Sequence, residues 1–253
     1  MYQDKTIAVV IPAYNEELLI ADTINSVPEF VDRVYVVDDC SNDGTAEIIR
    51  CFNHDHHRVC CISHSENCGV GAAIVSGYRQ ALEDSIEVMV VMAGDNQMDP
   101  AHLVELITPV VDSAADYSKG DRLSKQVNRD GMSKWRSFGN WQLTFLTRIA
   151  AGNRHICDPQ NGYTAISRDA LEKINIDSVY PGYGYCNDLL VKLCVCRCRI
   201  VDIKMPARYG QEKSKIKYRR YIPRVSWLLL KDFLWRIKVK YFKRQDTSGR
   251  VDS

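Results

Sequence analysis

The sequence lacks several features that would assign its class at once. No apolar run reaches the roughly 20 residues that a helix needs to cross a bilayer, so any membrane contact is expected to be peripheral. The polar, acidic start, Met1 to Asp4, does not resemble a signal peptide. The ten cysteines include no Cys-x-x-Cys pair, which argues against the common structural zinc motifs. Together these absences predict a cytoplasmic protein with free thiols.

Charge is balanced overall but unevenly distributed. The formal net charge is +1, yet residues 204–244 contain 14 Lys and Arg against two acids. An acidic body with a basic C-terminal segment predicts an anionic partner, which could be a membrane surface, a phosphorylated substrate or nucleic acid. No recognised nucleic-acid motif accompanies the basic residues, so nucleic acid is not expected.

Short apolar runs alternate with segments of helical spacing over the first 111 residues. This β-α-β-α-β-α-β pattern predicts an α/β domain with a mostly parallel central sheet flanked by helices. In such sheets ligands bind at the carboxyl edge, where the strands end. The loops that follow the strands are therefore expected to carry the ligand-binding side chains.

Acidic side chains occur in these loops, and two pairs of residues are of particular interest. Asp38 and Asp39 follow the second strand and could accept hydrogen bonds from a base or ribose. Asp95 and Gln97 follow the fourth strand and offer oxygen ligands that suit Mg²⁺ or Mn²⁺, which would in turn bind a diphosphate. A plain turn after a strand is the alternative for this second loop. The loop Asn67 to Gly71 resembles a phosphate-binding loop only weakly. Close backbone packing or contact of the helix N-terminus with an anion would explain it equally well.

Residues 221–244 have the pattern of a basic amphipathic helix. One face would carry apolar side chains and another would carry basic ones, namely Trp227, Leu230, Leu234, Ile237 and Tyr241 against Arg224, Lys231 and Lys238. This pattern is typical of a helix at a membrane interface. Alternatively, the apolar face packs on the domain or on a second subunit, as in a homodimer. We expect residues 245–253 to be a disordered tail.

Five motifs occur in an order that resembles the inverting family 2 glycosyltransferases, and within them the polyprenyl-phosphate sugar synthases of the dolichol-phosphate mannose synthase type. The motifs are Pro12-Ala-Tyr-Asn-Glu16, Asp38-Asp39-x-Ser-x-Asp43-Gly44, Asn67-x-Gly-x-Gly71, Gly94-Asp95-x-Gln97-x-x-Pro100 and Gly184-Tyr-x-Asn-Asp188. The resemblance implies a GT-A fold over residues 1–220, with a nucleotide-sugar bound over the carboxyl edge of the sheet and one divalent metal on its diphosphate.

The resemblance also implies roles for individual residues. The base and ribose would be held by Pro12, Tyr14, Glu16, Asp38 and Asp39, and the diphosphate would be bound through a metal on Asp95 and Gln97. The family usually has an acid two residues before Asp95, where this chain has Ala93. One carboxylate fewer predicts weaker binding of a hard cation.

The acceptor is expected to be a phosphate monoester, which is already anionic at neutral pH and needs no general base. Its binding would need positive charge, which the resemblance assigns to Arg122, Arg136, Lys213 and Lys215. Arg122 would also stabilise the charge that develops during transfer. Related enzymes that act on hydroxyl acceptors carry a base at the position of Asp188.

The sequence therefore predicts an enzyme that transfers a sugar from a nucleotide-sugar, with UDP favoured and GDP-mannose possible, to a polyprenyl or dolichyl phosphate. It would act while bound peripherally to the cytoplasmic face of a membrane. Two alternatives stay open. One is a transferase that acts on a glycan hydroxyl with Asp188 as base, and the other is a weakly active nucleotide-sugar-binding protein, which Ala93 suggests.

Overall fold

A computed structural model describes residues 1–55, 57–122, 134–206 and 218–248. These residues form seven strands and eight α-helices in the described parts of the chain. In chain order they are β1 (Ile7–Ala13), α1 (Ile20–Ser26), β2 (Arg33–Asp38), α2 (Thr45–Asp55), β3 (Val59–Ser63), α3 (Val70–Glu83), β4 (Val88–Val91), α4 (Leu103–Val111), β5 (Tyr117–Asp121), α5 (Lys134–Ala151), β6 (Thr164–Ser167), α6 (Arg168–Lys173), α7 (Tyr185–Val195), β7 (Ile200–Lys204) and α8 (Tyr218–Ser248).

The strands form one sheet in the order β3-β2-β1-β4-β6-β5-β7. All neighbouring pairs are parallel except those of β6, which is antiparallel to both β4 and β5. Because β4 and β5 both oppose β6, they run in the same direction and end at the same edge. The expectation of an α/β fold with a mostly parallel sheet and flanking helices is confirmed.

Alternate side chains of the strands enter two separate cores. In β1, Ala8 and Val10 face one core together with α3, α7 and the buried side of α8. Ile7, Val9 and Ile11 face the other core, which α1, α2 and α4 cover. A strand that is buried on both faces reads as a continuous apolar run, which explains the strand pattern of the sequence.

The C-terminal helix is longer than the 221–244 expected from the sequence, since α8 runs over Tyr218–Ser248. It packs against α5 and α7 through Val225, Leu229 and Phe233. Residues 245–248 of the expected tail belong to α8, whereas residues 249–253 lie outside the described residues. The domain boundary at residue 220 stays a prediction.

Candidate active site at the carboxyl edge of the sheet

The loops after β1 and β2 are bound to each other through side chains. Asn15 N donates to Ser41 Oγ at 3.0 Å, and Asn42 N donates back to Asn15 Oδ1 at 2.8 Å. Glu16 N donates to Thr45 Oγ1 at 2.8 Å. These contacts hold Pro12, Tyr14 and Glu16 beside the Asp38 to Thr45 loop, as a nucleotide-binding edge requires. Tyr14 is exposed and Glu16 is half-buried, so both are accessible to a ligand.

Asp38 and Asp39 are both buried at the end of β2. Asp38 Oδ1 accepts from Ser41 N at 3.2 Å, which forms the turn that follows the strand. Asp39 accepts from Cys68 N at 2.9 Å through Oδ1 and from Gly69 N at 2.7 Å through Oδ2. Its Oδ1 also lies 2.7 Å from His64 Nδ1. Asp39 thus anchors the loop before α3, and its contact with a nucleotide stays a prediction.

The glycine loop before α3 is explained by close backbone packing. Gly71 N and Ala72 N both donate to Pro181 O, at 2.7 and 3.1 Å. A Cβ on Gly71 would lie 2.2 Å from Tyr180 O, and Gly69 adopts a φ of +95°, which side chains rarely allow. Of the two explanations left open by the sequence, the structure supports packing, because these N–H groups are already used by the protein.

The loop after β4 places Asp95 and Gln97 at the same edge. Gly94 N donates to Pro12 O at 3.3 Å, so this loop lies against the end of β1. Gln97 N donates to Asp95 Oδ1 at 3.1 Å, which forms an Asx turn. The two residues therefore lie in one tight loop. Both residues are half-buried. One carboxylate and one amide oxygen form a donor set that fits a hard divalent cation when a diphosphate supplies further oxygen ligands.

Arg122 follows β5 and lies at this edge as well, since β4 and β5 end on the same side. Asp158 holds its guanidinium with two hydrogen bonds, from Nε to Oδ2 at 2.8 Å and from Nη2 to Oδ1 at 3.1 Å. The Asp158 carboxylate is fully buried, whereas the Arg122 side chain is 39% exposed. The bidentate contact fixes the direction of the cation while leaving part of it accessible. Sequence reasoning missed Asp158 because it lies 36 residues from its partner.

Asp188 is in a different environment from the residues above. It is only 1% exposed, it accepts from Tyr180 N at 2.6 Å, and it forms an ion pair with Lys192 one turn later in α7. Asp232 of α8 is buried beside it. Burial, followed by the negative charge of Asp188, raises the pKa of Asp232 to about 7. Lys192 also lies 5.8 Å from the ring centre of Trp235 on α8. Asp188, Lys192 and Asp232 thus connect α7 to α8.

The outward face of α8 is apolar and exposed. Trp227, Leu230, Leu234 and Ile237 are between 45% and 59% exposed, and Trp141 and Phe145 of the neighbouring α5 are also exposed. Of the two packing alternatives, the described residues show that this face does not pack on the domain. No described helix combines the length and the apolarity that a bilayer-spanning segment requires.

The structure thus brings most of the expected residues to one edge of the sheet. Those at the edge are Pro12, Tyr14, Glu16, Asp38, Asp39, Asp95, Gln97 and Arg122. Asp188 is buried in the first turn of α7, and its carboxylate accepts from Tyr180 N, beside the Pro181 carbonyl that binds the glycine loop. Arg136 lies in the first turn of α5, whereas Lys213 and Lys215 lie outside the described residues. The ligand-binding roles of all these residues stay predictions.

Comparisons with known proteins agree with this architecture. A family model described as glycosyl transferase family 2 matches residues 8–175. The UDP-N-acetylglucosamine–dolichyl-phosphate N-acetylglucosaminyltransferase of Methanococcus voltae is 29% identical over 201 residues, covering 74% of this chain and 80% of that protein. The undecaprenyl-phosphate mannosyltransferase of Micrococcus luteus is 30% identical over 202 residues, covering 77% and 80%.

Among solved structures, glucosyl-3-phosphoglycerate synthase from Mycobacterium tuberculosis, in complex with Mn²⁺, UDP and glucosyl-3-phosphoglycerate, has a similar fold. The TM-score is 0.64 at 21% identity, with 92% of this chain and 80% of that chain covered.

Proposed function

The chain belongs to glycosyl transferase family 2 and is a glycosyltransferase, and we propose that it transfers a sugar from a nucleotide-sugar to a polyprenyl phosphate. The observation that carries this proposal is the contrast between Asp188 and Arg122. The position where a hydroxyl-directed enzyme would carry its base is buried and ion-paired. The half-exposed cation Arg122 instead lies at the edge where the predicted donor site is built. This combination suits an acceptor that arrives already ionised.

The proposed reaction needs no proton transfer. An oxygen of the acceptor phosphate attacks the anomeric carbon, the bond from that carbon to the nucleotide diphosphate breaks, and the nucleoside diphosphate leaves with inversion. Arg122, oriented by Asp158, would attract the acceptor phosphate and stabilise negative charge at the reacting centre. The loops around Pro12, Tyr14, Glu16 and Asp38 would hold the base and ribose.

A divalent metal, Mg²⁺ or Mn²⁺, fits Asp95 and Gln97 because their oxygens are the hard ligands such ions prefer. When bound, it would neutralise charge on the leaving diphosphate. Ala93 provides no additional carboxylate, and its backbone N–H donates to Met98 Sδ at 3.1 Å. Metal affinity is therefore expected to depend on the diphosphate that binds with it.

The names of the relatives support the choice of UDP for the donor and of a polyprenyl phosphate for the acceptor. The archaeal relative is named for a UDP-sugar and a dolichyl phosphate, and the bacterial relative for an undecaprenyl phosphate. We favour UDP as the donor nucleotide and keep GDP-mannose as the alternative. We also propose that α8 lies on the cytoplasmic face of a membrane, since its exposed apolar face is flanked by Arg224, Lys231 and Lys238.

The test is nucleotide release from a panel of UDP- and GDP-sugars with Mg²⁺ or Mn²⁺. Each donor is assayed with a short polyprenyl phosphate and, as the matched control, with the polyprenol of the same length. We expect release from one donor with the phosphate only, lost in EDTA and in Asp95→Asn. Asp112→Asn, an exposed acid at the end of α4, should retain activity. Release with the alcohol would support the hydroxyl alternative, and release with neither lipid would contradict the proposal.

Ala93 favours one second candidate, a nucleotide-sugar-binding protein with weak activity. This candidate differs from the proposed enzyme in one measurable property, the turnover of an acceptor by the native chain. If the native chain binds a donor but turns over no acceptor, and Ala93→Asp creates turnover, the binding function is correct. Equal activity of the native chain and Ala93→Asp excludes it.

A further inference from the structure

Three side chains with metal-binding atoms converge beside the nucleotide edge. None of them is a ligand of the metal proposed for the diphosphate, although Asp39 is also among the residues expected to contact the base and ribose. Asp39 follows β2, His64 follows β3, and Cys68 lies in the loop before α3. One carboxylate oxygen, one imidazole nitrogen and the sulfur of this group lie within 4.8 Å of one another. We propose that Asp39, His64 and Cys68 form a binding site for a divalent transition metal of the Zn²⁺ class.

The orientation of His64 supports this site. Its Nδ1 lies 2.7 Å from Asp39 Oδ1, and its Nε2 lies 2.9 Å from Ser76 Oγ on α3. A metal-binding histidine usually donates its other ring N–H to an acceptor that fixes the ring, and Ser76 is placed to accept it. Nδ1 is then directed at the position where Asp39 and Cys68 meet.

The three ligand atoms lie within 4.8 Å of one another and must rearrange to bind one ion. Metal bonds of roughly 2.0–2.3 Å in a tetrahedral site separate neighbouring ligand atoms by roughly 3.3–3.7 Å. The contact between Asp39 and His64, now a hydrogen bond of 2.7 Å, would open by about half an ångström as the metal takes the place of the proton on Nδ1. The imidazole then carries that proton on Nε2 and donates it to Ser76 Oγ. Cys68 is exposed, so an ion can enter from solvent without unfolding the loop.

The chemistry of the ligands sets the metal class. A thiolate and an imidazole with one carboxylate favour Zn²⁺ or Co²⁺ over Mg²⁺ and Mn²⁺, which prefer oxygen ligands. On binding, the Cys68 thiol releases its proton to solvent and its sulfur donates an electron pair to the metal, and water completes the four ligands. This site is therefore chemically distinct from Asp95 and Gln97. Its occupancy would join the loop after β2 to the loop before α3.

The test uses Co²⁺ alone as the probe, added to the full chain after chelator treatment, with no nucleotide and a reductant that contains no thiol. We expect the visible bands of tetrahedral cobalt and a near-ultraviolet cobalt–thiolate band, both removed by added Zn²⁺. Cys68→Ser should lose the thiolate band, and Ser76→Ala should weaken binding by roughly 10–100-fold through the histidine. Cys51→Ser, an exposed cysteine on α2, should behave as the native chain does.

Asp95→Asn separates this site from the proposed catalytic metal, because it should leave the cobalt–thiolate band unchanged. The proposal is overturned if the native chain shows no thiolate band, or if the band persists in Cys68→Ser. Circular dichroism of each variant confirms folding. Since the readout is spectroscopic, its outcome does not depend on whether the chain proves to be a polyprenyl-phosphate enzyme.

Discussion

Replacing Asp232 with asparagine should stabilise the protein increasingly as the pH rises from 5 to 8. Asparagine has the shape of the protonated acid and cannot ionise. In the native fold, burial and the nearby charge of Asp188 raise the pKa of Asp232 from 3.8 to about 7. Between these values the folded chain must hold a proton that the unfolded chain has released. Stability therefore falls as the pH rises from about 4 to 7 and then levels off.

The size of this effect follows from linkage. At about 1.36 kcal/mol per pH unit, the raised pKa of Asp232 lowers the free energy of unfolding of the native chain by at most about 3 kcal/mol between pH 5 and pH 8. Because water has access to the helix that carries Asp232, we expect this change in the free energy of unfolding to be about 1–2 kcal/mol. For a chain of this size the melting temperature of Asp232→Asn, relative to the native chain, should rise by about 3–6 °C over the same interval.

The assay is chemical and thermal unfolding of both chains at pH 5 and pH 8. Asp177→Asn is the matched control, because Asp177 forms an exposed ion pair with Arg79 and its effect should not change with pH. Asp188→Asn adds a further check. Without its like-charged neighbour, Asp232 should ionise more easily, so the pH dependence should flatten. A difference between native and Asp232→Asn that stays constant from pH 5 to 8 would refute the reasoning.

Two other predictions concern the glycine loop and the outer face of α8. Gly71→Ala should lower stability by about 1–3 kcal/mol, because its Cβ would overlap Tyr180 O; Gly44→Ala, which meets only the end of Glu17, should cost less than about 1 kcal/mol in the same unfolding assay. Leu234→Glu should weaken co-sedimentation with anionic vesicles by roughly tenfold or more, since insertion of one leucine contributes about 1.5–3 kcal/mol. Leu18→Glu, at an exposed position outside α8, should leave vesicle binding unchanged, and an equal loss in both variants would contradict a specific role for α8.

The sequence was sufficient to predict the succession of strands and helices from β1 to β4 because β1, β2 and β4 are buried on both faces. Such strands appear as continuous apolar runs, and each parallel connection needs a helix, so the order from β1 to β4 follows from the pattern. The position of β6 did not follow. Thr164–Ser167 is only four residues long and is inserted antiparallel between β4 and β5, a pairing set by tertiary contacts.

In the candidate site, too, contacts between neighbours in the sequence were predictable, whereas contacts set by the tertiary fold were not. Asp95 and Gln97 were predictable as a pair because they lie two residues apart in one loop, where local turn geometry places them. The partners of Asp39 and Arg122 were not, because His64 and Asp158 lie 25 and 36 residues away. The motif that contains Asp188 did not predict the burial of its side chain. Its pairing with Lys192 one turn later is local, but its burial depends on the packing of α8.

These partners change what the carboxylates of the site can do. Asp39, Asp158 and Asp188 each direct their oxygens at groups of the protein itself: the loop before α3, Arg122, and the contact between α7 and α8. What these three provide is a fixed frame that positions loops and one cation. Such a frame can orient an acceptor, and the proposed phosphate acceptor is one that these three carboxylates do not need to ionise.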